Sequence, residues 1–143
     1  MAAVLTNQSA NDVLNYILRN VAPSWGGATT LYLSLHTATI GSGGNQTTNE
    51  ITYTGYSRVA LTRSSSGAFT AASGAASENN AEIQFGNPTA GTFPITVTHV
   101  ALGENASGSG TVIEYTALNT PLVINTNVQP KFATGTLDFT VVV

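Results

Sequence analysis

The chain has no cysteine among its 143 residues. Disulfides, thiolate metal sites and thiol catalysis are therefore excluded, and core packing and sheet hydrogen bonds must hold the fold. Charge is scarce as well: Asp, Glu, Lys and Arg make up 8% of the residues, against about 25% in an average domain. The balance is four basic residues to seven acidic ones, a net charge of −3 and a pI near 5.0. Such a chain has no long-range attraction to a phosphate backbone, which argues against direct nucleic-acid binding. No apolar run approaches the roughly 18 residues that a membrane helix needs, so no membrane partner is expected. The opening MAAVLTNQSANDV has neither a basic start nor a long apolar stretch and does not read as a signal peptide. One Trp and two His leave little material for a sugar-stacking cleft or a histidine-based site.

What is present is apolar enough to fold. Hydrophobic residues are 42% of the chain and mean hydropathy is +0.13, too high for a solvated coil. The length fits a single domain over residues 1–143, soluble through Ser, Thr, Asn, Gln and Gly rather than through charge. Ser9 followed by Asp12 reads as a variant capping box, and Val13, Leu14, Ile17, Leu18 and Val21 recur at helical spacing. Pro23 and Gly26-Gly27 end the pattern. These signals predict a helix within 9–22, centred on Asn11–Val21, after an arm at residues 1–8. The favoured reading is a helix that covers the sheet of its own domain; the other is an interaction helix for a neighbouring subunit.

From residue 28 on, the sequence reads as strand and turn. Thr30–Thr37, Ile51–Tyr53, Arg58–Arg63, Ala68–Thr70, Glu82–Phe85, Ile95–Leu102, Val112–Ala117, Leu122–Asn125, Lys131–Ala133 and Thr136–Val142 are rich in residues that suit a half-buried pleated surface. Gly/Ser/Asn/Pro clusters such as Gly86-Asn87-Pro88 and Gly108-Ser109-Gly110 separate them. With no βα alternation, the expected fold is mainly β: an antiparallel β-sandwich or jelly-roll-like single domain with one N-terminal α-helix. Two segments have almost no apolar content and are expected to be solvent-exposed or ordered by a partner: Gly41–Asn49 and Ala71–Ala81.

The most informative stretch is Leu31–Arg63, LYLSLHTATIGSGGNQTTNEITYTGYSRVALTR. Leu31, Leu33 and Leu35 alternate with Tyr32, Ser34 and His36, as a strand with one buried face requires. The order Leu-His-Thr, Asn-Glu, Thr-Gly-Tyr and Arg-Val-Ala closely resembles small structural proteins of tailed bacteriophages. Some of those are head decoration (cement) proteins, and others are labelled tail-fibre proteins. The resemblance implies a virion structural protein without catalytic function or cofactor, synthesised in the bacterial host cytoplasm. The favoured reading is decoration: the protein sits on the outer surface of the capsid, bridges and stabilises subunits of the major capsid protein, and associates with itself as a dimer or trimer at a symmetry axis. The other reading is a tail or tail-fibre component involved in host-surface recognition.

Few residues could carry chemistry. His36 lies on a predicted strand opposite Leu33 and Leu35, and His99 on the apolar side of ITVTHVALG; both read as hydrogen-bonded structural histidines. No metal-ligand motif, nucleophile elbow, phosphate loop or placed carboxylate pair occurs, so no catalytic, cofactor or metal residue is assigned. Arg58 reads as a partner for Glu50, Arg63 as a charge guarding an edge strand. Trp25 reads as a plug where helix meets sheet. The candidate partner contact is the loop of Gly41, Ser42, Gly43, Gly44, Asn45, Gln46, Thr47, Thr48 and Asn49.

Overall fold

The computed structural model of the chain describes residues 1–142. In chain order the elements are β1 (Val4–Leu5), α1 (Asn7–Arg19), a 3-10 turn (Ser24–Gly27), β2 (Thr30–His36), β3 (Val59–Thr62), β4 (Ala76–Glu78), β5 (Ile83–Gln84), β6 (Ile95–Gly103), β7 (Val112–Ile124), β8 (Lys131–Phe132) and β9 (Asp138–Thr140). Five strands form one antiparallel sheet in the order β1-β7-β6-β2-β3, while β4–β9 and β5–β8 are antiparallel ribbons. The expected mainly β, antiparallel architecture with one N-terminal helix is therefore observed. The five-stranded sheet does not close into a barrel, since β1 and β3 remain its edges.

The alternation along β2 decides which face packs where. Leu33 pairs with Leu102 and Leu35 with Val100, and this face meets Ile83, Phe85, Phe132, Leu137 and Phe139 from the ribbons and their flanks. Each such fully buried side chain is worth about 1.5–3 kcal/mol relative to exposure. The opposite face carries Ser34, His36 and Ala101; Ile40, Ala101, Val112 and Tyr115 form a smaller second cluster there. Both faces are covered: one by the ribbons, the other by the chain between β2 and β3.

Helix α1 begins one turn earlier than its sequence implied. Thr6 is the N-cap, accepting from the Ser9 N–H at 3.3 Å, and Asn20 closes the helix in the left-handed conformation at φ 55°. Ser9 is consequently inside the helix and fully buried, and its hydroxyl donates to the Val112 carbonyl at 3.0 Å. The Thr6 hydroxyl donates to the same oxygen at 2.7 Å. The helix thus meets the sheet through hydroxyls, and its apolar positions face out: Leu14, Ile17 and Leu18 are 54%, 69% and 75% exposed. The favoured expectation of an apolar face laid on the domain's own sheet is overturned.

Other boundaries move for identifiable reasons. The arm 1–8 is structured: Val4 and Leu5 pair with Tyr115 and Glu114, and Ala2 bridges Thr140 in parallel. Ile51–Tyr53 is not a strand, because Ile51 N–H goes to Leu35 O and Thr54 N–H to Ala90 O, on two different segments. Ala68–Thr70 keeps one isolated bridge, Phe69 to Asn79. The two strands expected in 112–125 are one, β7, with Leu118–Pro121 bulged opposite Thr98. Within Ala71–Ala81, expected to be loose, lie β4 and the fully buried Asn79. The Asn79 amide donates to Ala81 O and Ala133 O at 2.7 and 2.9 Å, and its oxygen accepts from Leu137 N at 2.9 Å.

Phe85 ties the layers together, stacked on Tyr56 at 6.2 Å and edge-on to Phe132 at 6.4 Å. Phe85→Ala should cost about 3–5 kcal/mol in urea unfolding through the cavity left behind. A cost below about 1 kcal/mol would show that the ribbons do not share a core with the sheet.

Candidate functional site

The residues of the Leu31–Arg63 signature converge beneath the chain that covers the second face of the sheet. β2 places Ser34 and His36 on that face, two residues apart. The His36 Nδ1–H donates to Thr48 O at 2.8 Å, a carbonyl that fixes the tautomer, so Nε2 accepts from the Ser34 hydroxyl at 2.8 Å. His36 is fully buried, and burial lowers its pKa from 6.5 despite the Thr48 bond, which favours the charged form. It is held as the neutral ring.

Beside it lies a bidentate ion pair. Arg58 donates from Nε to Glu50 Oε1 and from Nη2 to Glu50 Oε2, both at 2.7 Å. The Tyr56 hydroxyl donates to Glu50 Oε1 at 3.0 Å and accepts from the Leu35 N–H at 3.1 Å. It thereby replaces a strand partner where β3 has ended. Burial raises the Tyr56 pKa far above its usual value. The remaining Arg58 donors reach Asn105 O at 2.9 Å and Gly108 O at 2.8 Å, so the guanidinium also holds the turn between β6 and β7. Arg58 pairs with Glu50 as expected from sequence, in a largely buried clamp.

Gln46 completes the clamp. It is fully buried; its amide nitrogen donates to Asn105 O at 3.1 Å, its oxygen accepts from Asn105 N at 2.9 Å, and its own N–H meets Gly110 O at 3.0 Å. A Cβ on Gly103 would lie 2.2 Å from Gln46 Cδ, which is why that position has no side chain. The glycine of Thr-Gly-Tyr has a parallel reason: Gly55 has φ +103°, and a Cβ there would meet Asn87 O at 2.2 Å.

The loop Gly41–Asn49 is accordingly ordered by its own domain. Gln46 is inside, while Gly41, Gly44, Asn45 and Thr48 are half-buried. Asn45 Oδ1 accepts from Thr47 N and Thr47 Oγ1 at 2.9 and 2.7 Å, and Ser42 O accepts from the first helical N–H, Asn7, at 2.8 Å. Ser42, Gly43, Thr47 and Asn49 face solvent. The expectation of a loop too polar to pack on its own domain failed because it counted apolar atoms only. Nothing in the composition marks Gln46 as buried; its place in the phage-like signature was the one available signal.

The other singled-out residues are structural too. His99 stands directly across from His36, half-buried, and its Nδ1 donates to the Thr98 hydroxyl at 2.8 Å. Arg63, on the edge strand's end, donates to Ala28 O at 2.8 Å and to Trp25 O, with its guanidinium 5.9 Å above the Trp25 ring. Trp25 does sit at the joint of helix and sheet, beside a cleft of about 320 Å³ lined by Val13, Tyr16, Pro23 and Arg63. Among the described residues no three His, Asp or Glu side chains gather as a metal site, and no helix is long and apolar enough to cross a membrane.

The residues of the signature, Ser34, His36, Gln46, Glu50, Tyr56 and Arg58, are thus bound to one another and to the backbone of the domain. The chain belongs to the Podophage GP4 fiber I protein gp80 family, whose family model matches residues 4–140. No curated protein matches it significantly. It is thus a phage virion structural component of the fibre kind; the match backs the alternative fibre reading better than the favoured one of capsid decoration, which it does not show.

Two measurements probe the clamp. Arg58→Met should cost about 3–5 kcal/mol in urea unfolding, because it strands a buried carboxylate, and adding Glu50→Leu should recover a large part. Equal losses in single and double variants would mean that the pair contributes nothing as a pair. The second is pH. Burial depresses the folded-state pKa of His36 and of His99, so the unfolded chain takes up protons first. Stability is then full above about 6.5 and falls as pH drops toward the folded pKa. Glu114, whose carboxyl burial pushes up, has the opposite sign, so the comparison is best made in Glu114→Gln. There, His36→Asn should remove most of the slope between pH 7 and 5; an unchanged slope would assign it elsewhere.

Proposed function

We propose that this protein is a component of a virion fibre that takes part in attachment to the host surface, rather than a coat that clamps the capsid. The observation that carries this reading is the fibre-family match over residues 4–140. The fold supports it with two ends of different character. Helix α1 is anchored at the Val112 end of the sheet. At the other end, beyond His36 and beside Ile95, is an open cleft of about 600 Å³ edged by the exposed threonines Thr37, Thr52, Thr54 and Thr92. Uncharged hydroxyls of this kind can exchange hydrogen bonds with surface saccharides. The partners in this reading are copies of the chain and neighbouring virion proteins, met in part through the outward residues of the signature loop, Ser42, Gly43, Thr47 and Asn49.

Quantitative mass spectrometry of purified virions should find copies on the order of tens, with immunogold confined to fibres. Hundreds of copies, with gold over the whole capsid, would restore the decoration reading and remove this one. Excess purified protein should also slow phage adsorption to host cells, and Thr52→Lys with Thr54→Lys should abolish that competition. Undiminished competition by the double variant would move the contact away from the cleft.

A further inference from the structure

Arg58 and Arg63 present the same edge to different surroundings. Arg58 holds both oxygens of Glu50 with the side-on fork of Nε and Nη2. Arg63 engages only Nη1, on the carbonyls of Trp25 and Ala28. Those bonds and the stack over the Trp25 ring fix its guanidinium, while its Nε and Nη2 meet no acceptor among the described residues. The ion pairs of the described residues involve other cations, so Arg63 has no carboxylate partner there. A held fork of this kind fits a carboxylate through two parallel bonds.

The fork stands where two clefts meet. One, of about 320 Å³, is walled by Val13, Tyr16, Pro23 and Trp25. Trp25 also carries an enclosed Nε1–H with no acceptor among the described residues, which is uncommon for a buried donor. The other cleft, of about 470 Å³, shares Gly26 and Arg63 with the first and adds Phe69 and the exposed hydroxyls of Thr62, Ser64 and Thr70. Both lie at the Thr30 end of β2, away from the threonine-edged cleft beyond His36.

We propose that this paired cleft binds an acidic saccharide, the carboxylate of a uronate ring on Arg63 and the neighbouring neutral sugar beside Phe69. The C–H face of the uronate lies against Tyr16 and Pro23, and one of its oxygens accepts from the indole N–H. Thr62, Ser64 and Thr70 exchange hydrogen bonds with the neutral ring, whereas a plain aromatic acid would leave those hydroxyls without partners. A net charge of −3 gives an anion no long-range pull, so recognition rests on the fork itself. This is a second site, and it stands whether or not the fibre role and the threonine-edged cleft do.

The chain has a single tryptophan and it lines the site, so its fluorescence reads occupancy. Titrating the whole chain with cellobiouronate, glucuronate joined to glucose, should give a saturable change with a Kd on the order of 1 mM. Cellobiose, the same disaccharide without the carboxylate, should bind at least about ten-fold more weakly, and glucuronate alone should fall between the two. Arg63→Lys keeps the charge but loses the fork and should raise Kd about ten-fold. Tyr16→Ala should also raise it, with an unchanged melting temperature because the side chain is 57% exposed. The absence of a saturable change up to about 50 mM, equal affinity for cellobiose, or a Kd that neither variant raises would each overturn the proposal. Benzoate binding as tightly as cellobiouronate would overturn it too, by making the site one for simple carboxylic acids.

Discussion

The bidentate pair between Arg58 and Glu50 is the constraint on which the second face of the sheet depends. Removing two charges from water costs several kcal/mol per ion unless geometry and further hydrogen bonds repay it. Here Tyr56 and the carbonyls of Asn105 and Gly108 complete the set. The pair therefore forms only when three separate stretches arrive together: the covering loop, the segment leading into β3, and the turn between β6 and β7. In a chain with so few charged side chains, placing an opposite pair inside the molecule selects one arrangement of those stretches over others that would bury comparable apolar area.

That selection extends through neutral groups. Gln46 grips the same turn with three backbone bonds, and His36 links the strand to the loop while remaining uncharged. Such networks are stable only when every member is satisfied, because low local dielectric strengthens both a made bond and the penalty for a missing one. The close approach of Gly103 to Gln46 shows how little slack is left.

Much of the framework could be read from the residues. β2, β3 and β6 follow from period-2 alternation, and the Arg58–Glu50 pairing from two lone opposite charges near each other in sequence. The unreadable parts are those where polar atoms do the work of apolar ones. Thr6 and Ser9 turned the helix over by bonding one carbonyl, which a hydrophobic pattern cannot register. Gln46 and Asn79 made loops part of the interior through amide bonds to backbone far away in sequence. β1 was hidden because two residues give no period at all. The family resemblance carried what pattern could not, since it marked Leu31–Arg63 as a unit before its geometry was known.

The parallel bridge between Ala2 and Thr140 has a mechanical meaning. Ala3 N–H bonds to Thr140 O at 2.8 Å and Thr140 N–H to Met1 O at 2.9 Å. Because these two stretches run in the same direction, tension entering at residue 1 and leaving at residue 142 slides one along the other. Both bonds then bear load simultaneously instead of unzipping in succession.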